Sequence, residues 1–332
     1  MLVTGGAGFI GSHLVERLLA DGHEVSVVDD FATGRRANLA AFDREPRLTL
    51  IEADVVHHAA VREACTGVDT VFHLAALADI VPSIQRPLEY HRANVDGTTS
   101  VVEAARSAGV RRFVYAASSS CYGIPDRYPT PEDAPARPQY PYALSKYLGE
   151  QIVLHWGRFY RLPAVSLRLF NVYGPRARTT GAYGAVFGVF LAQLLAGKPL
   201  TVVGDGTQMR DFTYVTDVAD AFVRAAEADV VGEIFNVGSG SSQSVNRLVQ
   251  LLGNPPAVHV PKRPGEPDCT LADTAKIRRA LGWSPRVTFE DGVERMVAAI
   301  DHWRDAPVWD VASIASATRD WFAYLGPQAG AG

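Results

Sequence analysis

The sequence predicts an α/β fold: a doubly wound parallel sheet with a smaller α/β substrate-binding lobe interleaved into it. Three observations carry this. Short apolar runs ending in small or polar residues alternate with helix-length segments, which is the signature of parallel sheets. A glycine triplet at positions 5, 8 and 11 separates the first strand from the first helix. An acid, Asp29, ends the second strand, about 20 residues past the glycines. With 332 residues, the chain can bury a sizeable core as one large or two closely joined domains.

In chain order, Leu2 to Thr4 is a short strand, and the expectation is that it begins at the terminus or that the natural start lies upstream. It runs into Gly5-Gly6-Ala7-Gly8-Phe9-Ile10-Gly11 and a helix from Ser12 to Ala20. Backbone amides at a helix N-terminus, with no Cβ in the way, suit a pyrophosphate; a plain tight turn is the alternative. Val25 to Val28 is the second strand and delivers Asp29 and Asp30. An acid there accepts from a ribose 2′-hydroxyl and repels a 2′-phosphate, which favours NAD over NADP, with Arg35 and Arg36 placed to soften the preference. Leu48 to Ile51 is the third strand; Asp54 beyond it either accepts from an adenine amine or is a solvated loop acid.

Thr70 to Ala76 is the fourth strand, and its small residues at the C-terminal end let a cofactor approach the backbone. His73 within it reads as a satisfied core histidine. Asn94 opens a helix through Ala108, as a cap or as a polar contact near the cofactor. Arg112 to Ala117 is the fifth strand, with Ser118, Ser119 and Ser120 at its carboxyl end, where open parallel sheets bind ligands. A hydroxyl there can hydrogen-bond a reacting alcohol oxygen, or simply fill a turn. Val165 to Leu169 and Glu233 to Val237 are the sixth and seventh strands. Thr216 is placed to cap a helix from Asp217 to Ala228, and Asp273 one from Thr274 to Leu281 that Gly282 stops. Val293, Met296, Val297, Ile300 and Trp303 form an apolar helix stripe that reads as core.

Between the fifth and sixth strands lies Tyr142-Ala143-Leu144-Ser145-Lys146. On a helix, Tyr142 and Lys146 share one face about 6 Å apart along the axis. A lysine ammonium near a phenol favours the phenolate and pulls its pKa down from about 10. Such a phenol can take a proton from an alcohol while another group takes the hydride. The spacing alone is common in long chains; the upstream glycine loop and serine run give it weight.

Composition narrows the alternatives. Net charge is −4 with 20% charged residues, so no basic surface argues for nucleic acid or an anionic membrane. No apolar run reaches the roughly 18 residues of a membrane span, and no secretory signal is visible. Cys65, Cys121 and Cys269 are too few and scattered for a disulfide framework or zinc site, and the nine histidines show no metal-ligand spacing. The expectation is a cytoplasmic protein with no metal, with a loose end after Leu325.

Several stretches together resemble the extended short-chain dehydrogenase/reductases that act on nucleotide sugars. They are Gly5 to Gly11, Asp29, Asp54, Leu74-Ala75-Ala76, Asn94, Ser118 to Gly123, Pro141 to Lys146, Arg168 to Arg176, Gly204-Asp205-Gly206 and Arg210 to Val215. The match is nearest to the UDP-glucose / UDP-N-acetylglucosamine 4-epimerases and runs to Leu281-Gly282-Trp283. The resemblance implies a Rossmann domain holding NAD, built from residues 1–171 plus about 212–240, and a nucleotide-sugar-binding domain from 172–211 plus about 241–325. It implies catalysis by Ser118, Tyr142 and Lys146, and cofactor contacts from Gly5, Gly8, Phe9, Ile10, Gly11, Asp29, Asp30, Asp54, Val55, Leu74, Ala75, Ala76 and Asn94, with Tyr142 and Lys146 touching the cofactor as well. On the substrate side it places Ser118 to Ser120, Tyr142 and Asn171 at the sugar diphosphate. Tyr183 to Val186 (Ala185 and Val186 included) and Phe190 fall at the uridine, Arg210 and Arg263 at the phosphates, and Glu266 at a ribose. The helices after Asn94 and around Tyr142 pair across a homodimer interface in this family.

The implied reaction is removal of the 4′-hydroxyl proton by Tyr142 as NAD takes the C4′ hydride, rotation of the 4-keto sugar, and hydride return to the opposite face. Dehydratase relatives carry an acidic pair where Ser119 and Ser120 stand, which argues against that chemistry. Glucuronate-handling epimerases and decarboxylases place a hydroxyl at Asn171 and an arginine near Arg178, so Asn171 opposes that reading and Arg178 leaves it open. A non-catalytic NAD-binding regulator would lack at least one of Ser118, Tyr142 and Lys146. Thr270 stands where glucose-restricted epimerases carry a tyrosine, and Ala78 replaces a lysine of some members; both imply that N-acetylated sugars are accepted too.

Overall fold

The structure, a computed structural model, describes residues 1–179 and 185–326. Its centre is a sheet of β1 (Leu2–Thr4), β2 (Val25–Asp29), β3 (Leu48–Glu52), β4 (Thr70–His73), β5 (Arg112–Ser118), β6 (Ala164–Leu169) and β7 (Glu233–Val237). Among the described residues these seven strands lie in the order β7-β6-β5-β4-β1-β2-β3, and every neighbouring pair is parallel. Alternation sends successive side chains to opposite faces. Val3, Val27, Phe72, Val114, Val165 and Phe235 fill one layer; Leu2, Val28, Val71, Phe113 and Tyr115 fill the other. Apart from the half-exposed edge strand β3, both faces are therefore buried, which is why the inner strands read as near-continuous apolar runs.

The chain steps outward from β1 through β2 to β3, then returns to β4 on the other side of β1. That reversal opens a crevice beyond the carboxyl ends of β1 and β4. The first helix spans Phe9–Ala20 with Gly8 as its N-cap residue, so it begins earlier than expected and Phe9, Ile10 and Gly11 form its first turn. Strand β4 ends at His73 rather than Ala76: its neighbour β1 ends at Thr4, and the Ala75 N–H goes to the Thr4 hydroxyl at 3.3 Å instead of a further ladder carbonyl. His73 is the buried core histidine expected, with ring nitrogens 2.7 Å from the Thr4 and 3.0 Å from the Thr98 hydroxyl; burial lowers its pKa to about 3.

Some helix boundaries depart from the sequence reading. Asn94 does not open a helix; it sits in a π turn, Arg92–Asp96, between the helices Pro87–His91 and Gly97–Ser107. The helix Val215–Glu227 starts before Thr216, and Tyr214 stands at its N-cap with no side-chain cap bond. Asp273 Oδ1 accepts from the Ala275 N–H at 2.9 Å, but the N-cap position of Ala275–Leu281 is Thr274. Gly282 closes that helix in the left-handed region, as expected. In the apolar stripe, Val293, Met296 and Trp303 are buried, whereas Val297 is exposed.

The remaining chain builds small two-stranded sheets: Asn171–Tyr173 with Phe212–Tyr214, Leu200–Val203 with Ala257–Val260, and Met209–Arg210 with Gln243–Ser244. Stacked aromatics knit this part together, Tyr173 on Phe187 at 4.6 Å and Phe212 on Phe289 at 5.1 Å between centroids. Phe9 and Ile10 pack against the same cluster and join it to the glycine loop. Among the described residues no helix is long and apolar enough to cross a membrane.

Candidate active site

A cavity of about 730 Å³ lies over the carboxyl ends of the sheet strands and is walled on its far side by the small sheets. At its floor, Gly5 has φ +70°, and a Cβ there would stand 2.7 Å from the Ala75 nitrogen. A Cβ on Gly11 would lie 2.1 Å from the Gly5 carbonyl oxygen. The loop thus packs its backbone so closely that a side chain at either position would clash, and it leads into a helix N-terminus on the cavity, an arrangement that fits the pyrophosphate of a dinucleotide. Asp29 accepts from the N–H groups of Ala7 and Phe31, both at 2.9 Å, and burial pushes its carboxyl up from the ordinary range. Asp30 and Asp54 also line the cavity, each accepting from a backbone N–H two residues on. Arg35 is engaged by Thr179 and His302, and Arg36 by Glu52 and the Phe31 ring, so neither arginine is held as a partner of Asp29. Val55, Leu74, Ala75 and Ala76 complete the cofactor side.

Ser118 stands at the end of β5, sharing a 2.8 Å hydrogen bond between its Oγ and that of Ser120. Tyr142 lies in the first turn of the helix Pro141–Tyr160 and lines the same cavity, near the Ser118 hydroxyl. Lys146, one turn on, is buried behind the wall with Nζ 4.5 Å above the Tyr115 ring. The sequence reading had Lys146 pulling the phenol down, and here the protein alone does the reverse. Burial raises the Tyr142 phenol, with only the Ser118 hydroxyl opposing, and burial lowers Lys146 to about 7 against the pull of Glu150. Desolvation penalises the charged form of both groups and outweighs their neighbours.

This has a consequence for pH. Between about pH 7 and 10.5 the unfolded chain holds the Lys146 proton and the folded chain does not. Stability of the cofactor-free protein should therefore rise with pH across that window, by up to about 1.4 kcal/mol per unit from this group. Denaturant titrations of wild type and Lys146→Met at pH 7 and 9 measure it: the variant should lose that part of the slope, and equal slopes would refute it.

Asn94 lies behind the wall rather than on the cavity. Its Oδ1 accepts from the Leu77 N–H at 2.8 Å, and its Nδ2 donates to the Leu77 carbonyl and the Ser145 Oγ. It ties the loop after β4 to the helix of Tyr142, so its polar atoms are engaged by protein rather than aimed at a cofactor.

On the far side, Asn171 Oδ1 accepts from the Thr270 hydroxyl at 2.7 Å, and that hydroxyl accepts from the Asp211 N–H at 3.0 Å. Arg210 and Arg263 flank one carboxylate, Glu266, at 3.5 and 3.6 Å. Ala185, Val186 and Phe190 line the other end; Tyr183 and Gly184 lie outside the described residues. The cavity therefore brings together the sequence-predicted residues among those described, Lys146 and Asn94 excepted. Sequence reasoning missed Tyr140, stacked on Tyr142 at 6.4 Å, the Asp79–Arg178 ion pair, and Trp321. An aromatic two residues before Tyr142 was a readable signal for Tyr140; the other two carry none. Among the described residues no group of three or more His, Cys, Asp or Glu side chains could hold a metal ion.

Comparison with known proteins agrees with this geometry. The chain is 40% identical over 309 residues to a UDP-glucose 4-epimerase of Mycolicibacterium smegmatis, covering 89% of this chain and 96% of the relative. Among solved structures, a UDP-N-acetylglucosamine 4-epimerase from Methanobrevibacter ruminantium, in complex with UDP-N-acetylmuramic acid, superposes with a TM-score of 0.86 at 33% identity, covering 90% of this chain and 97% of the other. A UDP-glucuronic acid 4-epimerase from Bacillus cereus, in complex with UDP-glucuronic acid and NAD, gives 0.84 at 32% identity, covering 90% and 98%. Residues 1–238 match the NAD dependent epimerase/dehydratase family. The chain belongs to that family, and NAD is its cofactor.

Proposed function

We propose that the protein is a UDP-sugar C4 epimerase, an isomerase that interconverts UDP-glucose with UDP-galactose and UDP-N-acetylglucosamine with UDP-N-acetylgalactosamine through a 4-keto sugar. The observation that carries this is that Ser118 and Tyr142 line the same cavity as the glycine cradle and the two arginines. Tyr142 takes the C4′ hydroxyl proton and returns it, and the neighbouring Ser118 hydroxyl helps to pass it. NAD, when bound, supplies the hydride acceptor and the positive charge that a buried phenol needs to ionise. Lys146 backs Tyr142 from behind the wall, and Arg210 and Arg263 hold the diphosphate in place of Glu266. The reaction then consists mostly of positioning and of keeping water out.

A second reading, a glucuronate epimerase or decarboxylase, rests on Arg178, which lines the cavity. Its guanidinium is already paired with Asp79, so a sugar carboxylate would have to displace that acid, and this favours the neutral sugars. Separate incubation with UDP-glucose, UDP-N-acetylglucosamine and UDP-glucuronate, followed by NMR, decides the point. Epimers of the first two without added NAD support the proposal; turnover of the third alone, or carbon dioxide release, overturns it. The small Thr270 leaves room for a 2-acetamido group. Thr270→Tyr should cost at least tenfold more kcat/KM on UDP-N-acetylglucosamine than on UDP-glucose. Equal losses would show that Thr270 acts only through its bond to Asn171.

We also propose the two interleaved domains given above, a homodimer and a cytoplasmic location. The dimer reading is supported by exposed Leu88, Leu144 and Phe159 around the helix of Tyr142. The location is supported by Cys65, Cys121 and Cys269, all free thiols.

A further inference from the structure

A residue close to the C-terminal end of the described chain, in a segment with no motif of its own, reaches the cavity. Trp321 sits on the short helix Arg319–Leu325 and is buried, only 3% exposed. Its indole N–H donates to the Pro264 carbonyl at 2.7 Å. The Arg263 guanidinium lies 5.4 Å from its ring centroid, within cation–π reach, and the Tyr140 ring is 6.3 Å away on the side of Tyr142. Leu325 of the same helix packs 3.6 Å from where a Cβ on Gly265 would stand. At the other end, Gln85 donates to Asp320 at 2.7 Å, tying the helix to Ile80–Gln85 beside the cofactor side of the cavity. The C-terminal helix thus spans from the cofactor wall to the segment 263–266, which carries Arg263 and Glu266.

We propose that Trp321 is a positioning residue for the diphosphate site: it fixes the 263–266 segment so that the Arg263 guanidinium stands beside Arg210 and faces the nucleotide's phosphates. The proposal rests on reading Arg210 and Arg263 as diphosphate ligands. An aromatic face beneath an arginine fork limits its rotamers without taking up its in-plane donors, and the Pro264 bond holds the backbone that carries it. Less ordering is then left to be done when the anion binds. Trp321 touches neither the reacting carbon nor the glycine cradle, so its effect belongs to binding and not to the chemical step.

The test measures UDP binding by calorimetry, KM and kcat on UDP-glucose, bound NAD and melting temperature for wild type, Trp321→Ala, Trp321→Phe and Gln85→Ala. Trp321→Ala is expected to weaken UDP binding and raise KM by about tenfold, with kcat within twofold and NAD content unchanged. Trp321→Phe keeps a ring under the guanidinium but loses the N–H, and should recover part of the affinity. Gln85→Ala severs the far tether at an exposed site and should weaken UDP binding slightly. If Trp321→Ala does not fold, the Phe and Gln85 variants decide the matter. Wild-type UDP affinity in them would overturn the proposal, and so would a fall in kcat and NAD content that parallels the loss of affinity. A wild-type protein that retains NAD but does not bind UDP would instead overturn the reading of the arginines on which this rests.

Discussion

Tyr142→Phe is expected to lower turnover of UDP-glucose by roughly 10²–10⁴-fold while leaving NAD bound, because the change removes one oxygen and nothing else. The ring keeps its stacking on Tyr140, and the glycine cradle is untouched. What disappears is the hydroxyl that, in the proposed mechanism, exchanges the C4′ proton. Ser118 cannot substitute, since a serine hydroxyl is far too weak an acid and its Oγ is shared with Ser120. The measurement is paired: NMR turnover on UDP-glucose, and NAD released from an equal mass of protein on denaturation. Turnover within a few-fold of wild type would remove Tyr142 from the chemistry. Loss of NAD along with turnover would make it a structural residue.

Gly11→Ala should abolish NAD retention. The added methyl would stand 2.1 Å from the Gly5 carbonyl oxygen and 2.8 Å from the Gly6 Cα. Both atoms are backbone, so relief requires the loop itself to open, at a cost of about 1–3 kcal/mol or more. The same movement pulls the amides away from where a pyrophosphate would sit. Gly22→Ala is the matched control: it has φ +91° and nothing within 4 Å of the added Cβ. It should lose about 1 kcal/mol of stability through backbone strain alone and keep its NAD. NAD content of both variants checks this. An NAD-replete Gly11→Ala protein would mean that the cradle does not hold the dinucleotide.

The sheet and most of the site were legible because their causes are local. Apolar runs buried on both faces announce the inner strands, and the glycine at 11 is required by contacts within the same loop. The catalytic spacing was legible because one helix carries both Tyr142 and Lys146. What was not legible depends on groups distant in sequence. The role of Asn94 is set by Leu77 and Ser145, and that of Thr270 by Asn171 and Asp211. The direction of the Tyr142 shift followed from burial, which local spacing does not report. Trp321 comes to the site from a segment with no motif of its own. The end of β4 at His73 is set by its neighbour β1, which itself ends at Thr4.

The central claim is that Tyr142 moves the proton on oxygen while the hydride leaves and returns to C4′ through tightly bound NAD. NMR of UDP-glucose incubated with the protein in D₂O, without added cofactor, tests it most directly. The expected result is UDP-galactose that keeps protium at C4′, because that hydrogen never enters solvent. Deuterium at C4′, or turnover only when NAD is supplied, would contradict it.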